Sequence, residues 1–151
     1  MRLPSIAIFS LALLCSCAAK PPFKTDSTPA DSGQISIFGG EQIYLQAIFQ
    51  GNKFVGIKKV DTVSDPSVTL TFRFLQGNGG KNMLLSVTNP LSHSVKYHLD
   101  MVDFSGILHK TSSCPVMAGR SVGEYWPHSI PEIRISNFNL ATTEEEKICI
   151  Y

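Results

Sequence analysis

Four cysteines and four histidines are the side chains of this chain best suited to covalent, redox or metal chemistry. Cys15 and Cys17 lie together near the start, whereas Cys114 and Cys149 are isolated. No CxxC pair exists to favour redox or zinc chemistry. His93, His98, His109 and His128 show neither HxH nor HxxxH spacing, which would set two imidazoles on one face for a metal ion. A meeting of His98 and His109 across a hairpin is the one metal pairing the order suggests, and a solvated sheet face is the ordinary explanation of those residues. Neither a metal nor a cofactor is expected. If the chain is exported, Cys114 and Cys149 are expected to pair. Closing a loop of about 35 residues would stabilise the fold by roughly 4 kcal/mol on the chain-entropy account, and would fix an otherwise loose C-terminus.

Signatures of enzymes are sparse. HExxH, GxGxxG and P-loop patterns are absent. Gly77-Asn-Gly-Gly-Lys81 superficially suggests a phosphate cradle, but Asn82 follows where Ser or Thr is needed, so the run reads as a hairpin turn. The chain is therefore expected not to be an enzyme. The densest local feature is Glu124, Tyr125, Trp126, Pro127 and His128, which includes the only tryptophan. Strand alternation sends Tyr125 and Trp126 to opposite faces, so one plugs the core and the other meets solvent. Glu124, Tyr125, Trp126 and His128 are the candidate recognition surface, because rigid aromatics suit interface anchors.

Strands must position these groups. Over residues 67–75, Val68, Leu70, Phe72 and Phe74 alternate with polar residues, and Met83, Leu85 and Val87 resume the alternation after the glycine-rich turn. Val95, Tyr97, Leu99 and Met101 alternate with Lys96, His98 and Asp100, and a turn follows at Ser105 and Gly106. Residues 35–38, 43–49, 53–60, 107–110, 121–126 and 132–140 read as further strands. Pro127 and Pro131 force a corner between the last two. Thr143 and Glu146 have capping-box spacing, enough for one helical turn. About eight or nine strands without a long helix predict an all-β, antiparallel two-sheet sandwich.

Residues 85–90, Leu-Ser-Val-Thr-Asn-Pro, followed by a polar gap and Val95 to Leu99, resemble the first core hairpin of immunoglobulin-like domains. Residues 115–119 are similar to their inter-sheet turns. The immunoglobulin disulfide pattern is absent, and the resemblance implies the sandwich alone.

At the N-terminus, Arg2 precedes an apolar run of about nine residues, too short to cross a bilayer as a helix. Leu14-Cys15-Ser16-Cys17 resembles the lipobox of bacterial lipoproteins, which implies Cys17 as the lipid attachment site. Cleavage after Ala18 or Ala19, releasing a soluble periplasmic or secreted protein, is the alternative. Residues 1–16 then form a signal peptide and 17–33 the acylated cysteine with a Pro- and Ser-rich tether. Residues 34–151 form the sandwich. Because Ala18 follows the cysteine, lipoprotein sorting in a Gram-negative cell implies the outer membrane, periplasmic side.

Net charge is +1 with Lys58 and Lys59 the only adjacent basic pair, so nothing favours nucleic acid as a partner. The expected function is a non-catalytic binding or structural module of the envelope, acting on a protein or glycan partner. A small ligand- or lipid-carrying barrel and an inhibitor of an envelope-attacking hydrolase are the alternatives. Intact-mass spectrometry of protein extracted from host membranes is expected to show cleavage before Cys17 plus a diacylglycerol. A soluble species beginning near Lys20 would reverse that assignment.

Overall fold

The computed structural model describes residues 33–149, so Cys17, the expected signal peptide and nearly all of the expected tether lie outside the described residues. Nine strands form: β1 (Ile35–Phe38), β2 (Gln42–Gln50), β3 (Lys53–Val60), β4 (Thr69–Gly77), β5 (Asn82–Asn89), β6 (Ser94–Val102), β7 (Leu108–Lys110), β8 (Arg120–Trp126) and β9 (Glu132–Ala141). Period-two alternation placed each of them within a few residues. The largest shift is at β4, where Pro66–Val68 form a 3-10 turn instead of strand. Asp65 holds that turn by accepting from the Ser67 N–H, which ends the extended pattern before Thr69. The C-terminal helical turn also forms, at Glu145–Lys147. Its capping box is reciprocal: Glu146 N–H donates to Thr143 Oγ1, and Thr143 N–H donates to Glu146 Oε2.

The strands make two antiparallel sheets, ordered β1-β9-β6-β7 and β3-β2-β4-β5-β8, which do not close into a barrel. This is the expected sandwich. The run from residues 85–90 to 95–99, which resembles a core hairpin, instead crosses between the sheets as part of two interlocked pairs. β5 pairs with β8 in one sheet and β6 with β9 in the other, so the β5–β6 and β8–β9 links both cross between sheets. The inward residues of the alternating runs, including Phe72, Phe74, Met83, Leu85, Tyr97, Leu99, Ile133 and Ile135, form one buried cluster. Each such side chain contributes roughly 1.5–3 kcal/mol by leaving water. Edge-on aromatic contacts fill the middle: Phe72 meets Tyr97 at 5.4 Å and Phe74 meets Trp126 at 6.2 Å.

Two devices fix the crossing of the sheets. At the β5–β6 corner, the fully buried Asn89 amide donates to the carbonyls of His93, Val116 and Met117 and accepts from the Leu91 N–H. Beyond β7, residues 111–116 run along the flank of β6. Thr111 N–H donates to Leu99 O, Ser113 Oγ to Tyr97 O, and Val116 bridges Val95. The Cys114–Cys149 disulfide, the expected pairing, ties the C-terminal residues to this segment. It cross-links residues 35 positions apart.

Asn89→Ala should destabilise the domain by about 3 kcal/mol, because several buried backbone groups lose their partner at once. Asn89→Asp should not restore them, since a carboxylate cannot donate to three carbonyls. Chemical denaturation read by tryptophan fluorescence and circular dichroism measures both. A loss within a few tenths of a kcal/mol for the alanine variant would show that the corner does not depend on this amide.

Candidate functional site

The four residues expected to form a recognition surface do not share one. Trp126 is 7% exposed and packs on Phe74, its indole N–H donating to Thr111 Oγ1 at 3.1 Å. Glu124 is half-buried on the same inward side of β8, and accepts from the Cys114 N–H at 3.1 Å. Both side chains therefore hold the 111–116 segment against β8. Burial pushes the Glu124 carboxyl above the usual range, against the smaller opposing effect of that hydrogen bond. Tyr125, 60% exposed, points the other way and lies opposite Leu84 on the outer face of the five-stranded sheet. Its hydroxyl accepts from Asn82 at 3.3 Å. His128 is exposed in the β8–β9 loop, where Ser129 Oγ donates to the Gly80 carbonyl. The alternation argument separated Tyr125 from Trp126 in the correct sense. Proximity in sequence overstated how far the four act together.

That β8–β9 loop belongs to a group of turns at one end of the sandwich. The registers place them there: Phe38 and Val102 both lie opposite Glu132, and Val102 also faces Leu108. Gly39 N–H donates to Pro131 O, and Gly40 N–H to Phe74 O. The β1–β2 turn, the β4–β5 turn, the β6–β7 tip and the β8–β9 loop thus share this pole.

The β6–β7 tip is its most developed feature. Asp103 Oδ1 accepts from the N–H groups of Ser105 at 2.8 Å and Ile107 at 2.9 Å, and Oδ2 lies 2.9 Å from His109 Nε2. Asp103 N–H donates to Ile107 O, and Gly106 N–H to Asp103 O, both at 3.0 Å. Gly106 takes φ +82°, a conformation that a side chain would strain. The His109 hydrogen bond, then those of the tip amides, hold the Asp103 carboxyl below the usual carboxylate range. On this braced turn Phe104 is 75% exposed, Ile107 57% and Leu108 48%. Sequence reasoning recognised the turn at Ser105 and Gly106 but missed the site. Asp103 followed two residues on by Ser105 is the available signal, an aspartate placed to cap its own turn.

Other chemical groupings resolve simply. His98 lies opposite Ser136 and His109 opposite Met101, which puts the two imidazoles on opposite faces of the sheet and removes the suggested metal pairing. Residues 119–123, Gly-Arg-Ser-Val-Gly, have the spacing of a nucleophile elbow, which the motif reading overlooked. The structure runs them into β8, with no strand-to-helix turn, and Ser121 Oγ bonds Thr88 Oγ1 at 2.9 Å. Tyr97 Oη is buried without a hydrogen-bond partner among the described residues, and burial drives its ionisation far above the ordinary range.

No known protein family, curated protein or solved structure matches the chain.

Asp103→Asn should loosen the tip while leaving the sandwich intact. The amides of Ser105 and Ile107 should exchange hydrogen several-fold faster, with little change in global stability. In the parent protein, Asp103 is bound more tightly when ionised. The bracing should therefore hold above its unfolded pKa and fade as pH falls through its lower folded value. Unchanged exchange at those amides across both comparisons would mean that the carboxylate does not order the turn.

Proposed function

We propose that the chain is a non-catalytic binding module of the bacterial cell envelope, held by a lipid at Cys17, that engages a protein partner through the β6–β7 tip. The observation that carries this reading is an exposed apolar triplet, Phe104, Ile107 and Leu108, on a turn fixed by Asp103. A mobile loop could fold its apolar residues back against the domain. A braced one keeps them in water until a partner covers them, and the entropy of ordering is already spent before binding. Aromatic and aliphatic anchors presented in this way are the usual centre of protein interfaces. The lipid signal supports a membrane address, and a soluble periplasmic or secreted form would use the same tip. A carrier would need a lumen, whereas the space between these open sheets is occupied by buried side chains.

The Asp103–His109 pair favours a second reading, inhibition of an envelope-attacking hydrolase. A protruding turn that presents a carboxylate and an imidazole with an aromatic ring between them in sequence could enter a foreign active-site cleft.

Site-specific photo-crosslinking in the native host tests both. A benzoyl-phenylalanine at position 104 should give one dominant protein adduct that Ile107→Asp abolishes. The same probe at Ser121, on the outer face of the other sheet, should not give that adduct. A hydrolase in the adduct would favour inhibition. Identical adducts at both positions, or none at position 104, would remove the tip as the binding element.

A further inference from the structure

A second site lies away from the tip, where edge strand β3 comes against β9. Phe54, Lys96, His98, Asn137, Asn139 and Leu140 line an open groove of about 480 Å³, together with Glu146. Its shape originates in a β-bulge. Lys96 lies opposite Asn139 and His98 opposite Ser136, so β9 carries one residue more than β6 between these pairs. Asn137 absorbs the extra residue at φ +53°, a left-handed conformation that asparagine tolerates better than most side chains. Glycine would hold that backbone without strain; asparagine adds a primary amide to the groove.

Some of the polar groups are fixed by hydrogen bonds and others are uncommitted. Asn139 Nδ2 donates to the Asn137 carbonyl at 3.1 Å, which fixes its amide and leaves its own carbonyl oxygen as an acceptor. Among the described residues, no hydrogen bond engages the side chains of Lys96, His98 or Asn137. Glu146 Oε2 accepts from Thr142 N–H, Thr142 Oγ1 and Thr143 N–H, which keeps the carboxylate ionised and in place. Phe54 and Leu140 supply apolar surface beside these groups.

From this combination we infer that the groove binds a neutral oligosaccharide. A sugar hydroxyl donates once and accepts twice, so it is matched by neighbouring donors and acceptors, here an ammonium, an imidazole, two amides and a carboxylate. The apolar C–H face of a pyranose ring finds Phe54 and Leu140. Charge argues against the other ligand classes. Glu146 opposes a phosphate, Lys96 opposes a cation, and one imidazole with one carboxylate is too small a donor set for zinc. A peptide strand would be held chiefly by backbone hydrogen bonds, whereas side-chain amides, an ammonium and an imidazole line this groove. The groove is separate from the tip, so this site stands whether or not the tip binds protein.

The test is an ¹⁵N-correlation NMR titration of the folded chain with triacetylchitotriose and with maltotriose, using inorganic phosphate as a third probe. At least one sugar should shift the amides of Lys96, His98, Asn137 and Asn139 saturably, at about millimolar affinity, while those of Phe104 and Ile107 stay unmoved. Asn137→Gly should weaken binding about tenfold, as loss of a bidentate amide would, with no fall in thermal midpoint. Absence of shifts with both sugars would overturn the proposal. So would equal affinity of the glycine variant, or phosphate moving the same amides more strongly than either sugar.

Discussion

The side chain of Asn89 is fully buried where the chain leaves one sheet for the other, and its amide is bound to four backbone groups of the surrounding turns. Backbone polar groups at such a crossing have left one ladder and not yet joined the next, so they need side-chain partners or water. Asn89 supplies them, and through Val116 and Met117 it also anchors the start of the segment leading to β8. The interlocked arrangement of β5 with β8 and β6 with β9 depends on that corner, because both strand pairs converge there. The same amide therefore sets the positions of β6, whose far end carries the tip, and of β9, whose bulge shapes the groove.

The flank of the sandwich shows how a polar cluster can be structural. Trp126 and Glu124 bond Thr111 and Cys114, and Cys114 is covalently joined to Cys149. Tyr97 supplies its carbonyl to Ser113, while its hydroxyl remains buried and unpaired among the described residues. These contacts seal the open side between β6 and β8 with a segment too irregular to continue either sheet. Closing the flank in this way leaves function to the surfaces that the seal does not use, which are the loop pole and the outer faces.

Strand positions were legible because alternation is enforced by burial: Phe72 and Phe74 cannot face water while Arg73 faces the core. Pairing was less so, since residues 85–90 and 95–99, which resemble a hairpin, lie in different sheets. The cysteine pair was legible for a simpler reason, since only Cys114 and Cys149 lie outside the first twenty residues. The site was less legible. Glu124, Tyr125, Trp126 and His128 are adjacent in sequence, but a strand sends neighbours to opposite faces, and only Tyr125 and His128 emerge exposed. The tip was read as a turn and not as a surface, because Phe104 and Ile107 look like core residues until Asp103 is seen to hold them outward. The groove needs a bulge that displaces one residue of β9, and no sequence period announces it.

The direction of β1 connects the fold to its proposed address. β1 runs from Ile35, opposite Ile135, to Phe38, opposite Glu132, and so travels toward the pole that carries the β6–β7 tip. Residue 33, where the described residues begin, precedes β1 and so lies toward its other end. A tether of roughly 14 residues can extend about 40 Å, enough to hold the domain clear of lipid headgroups. If that tether ends in a lipid, the sandwich stands with Phe104 and Ile107 on its membrane-distal side. A binding tip facing the bilayer would compete with the anchor for the same surface; facing away, it meets partners arriving across the envelope space.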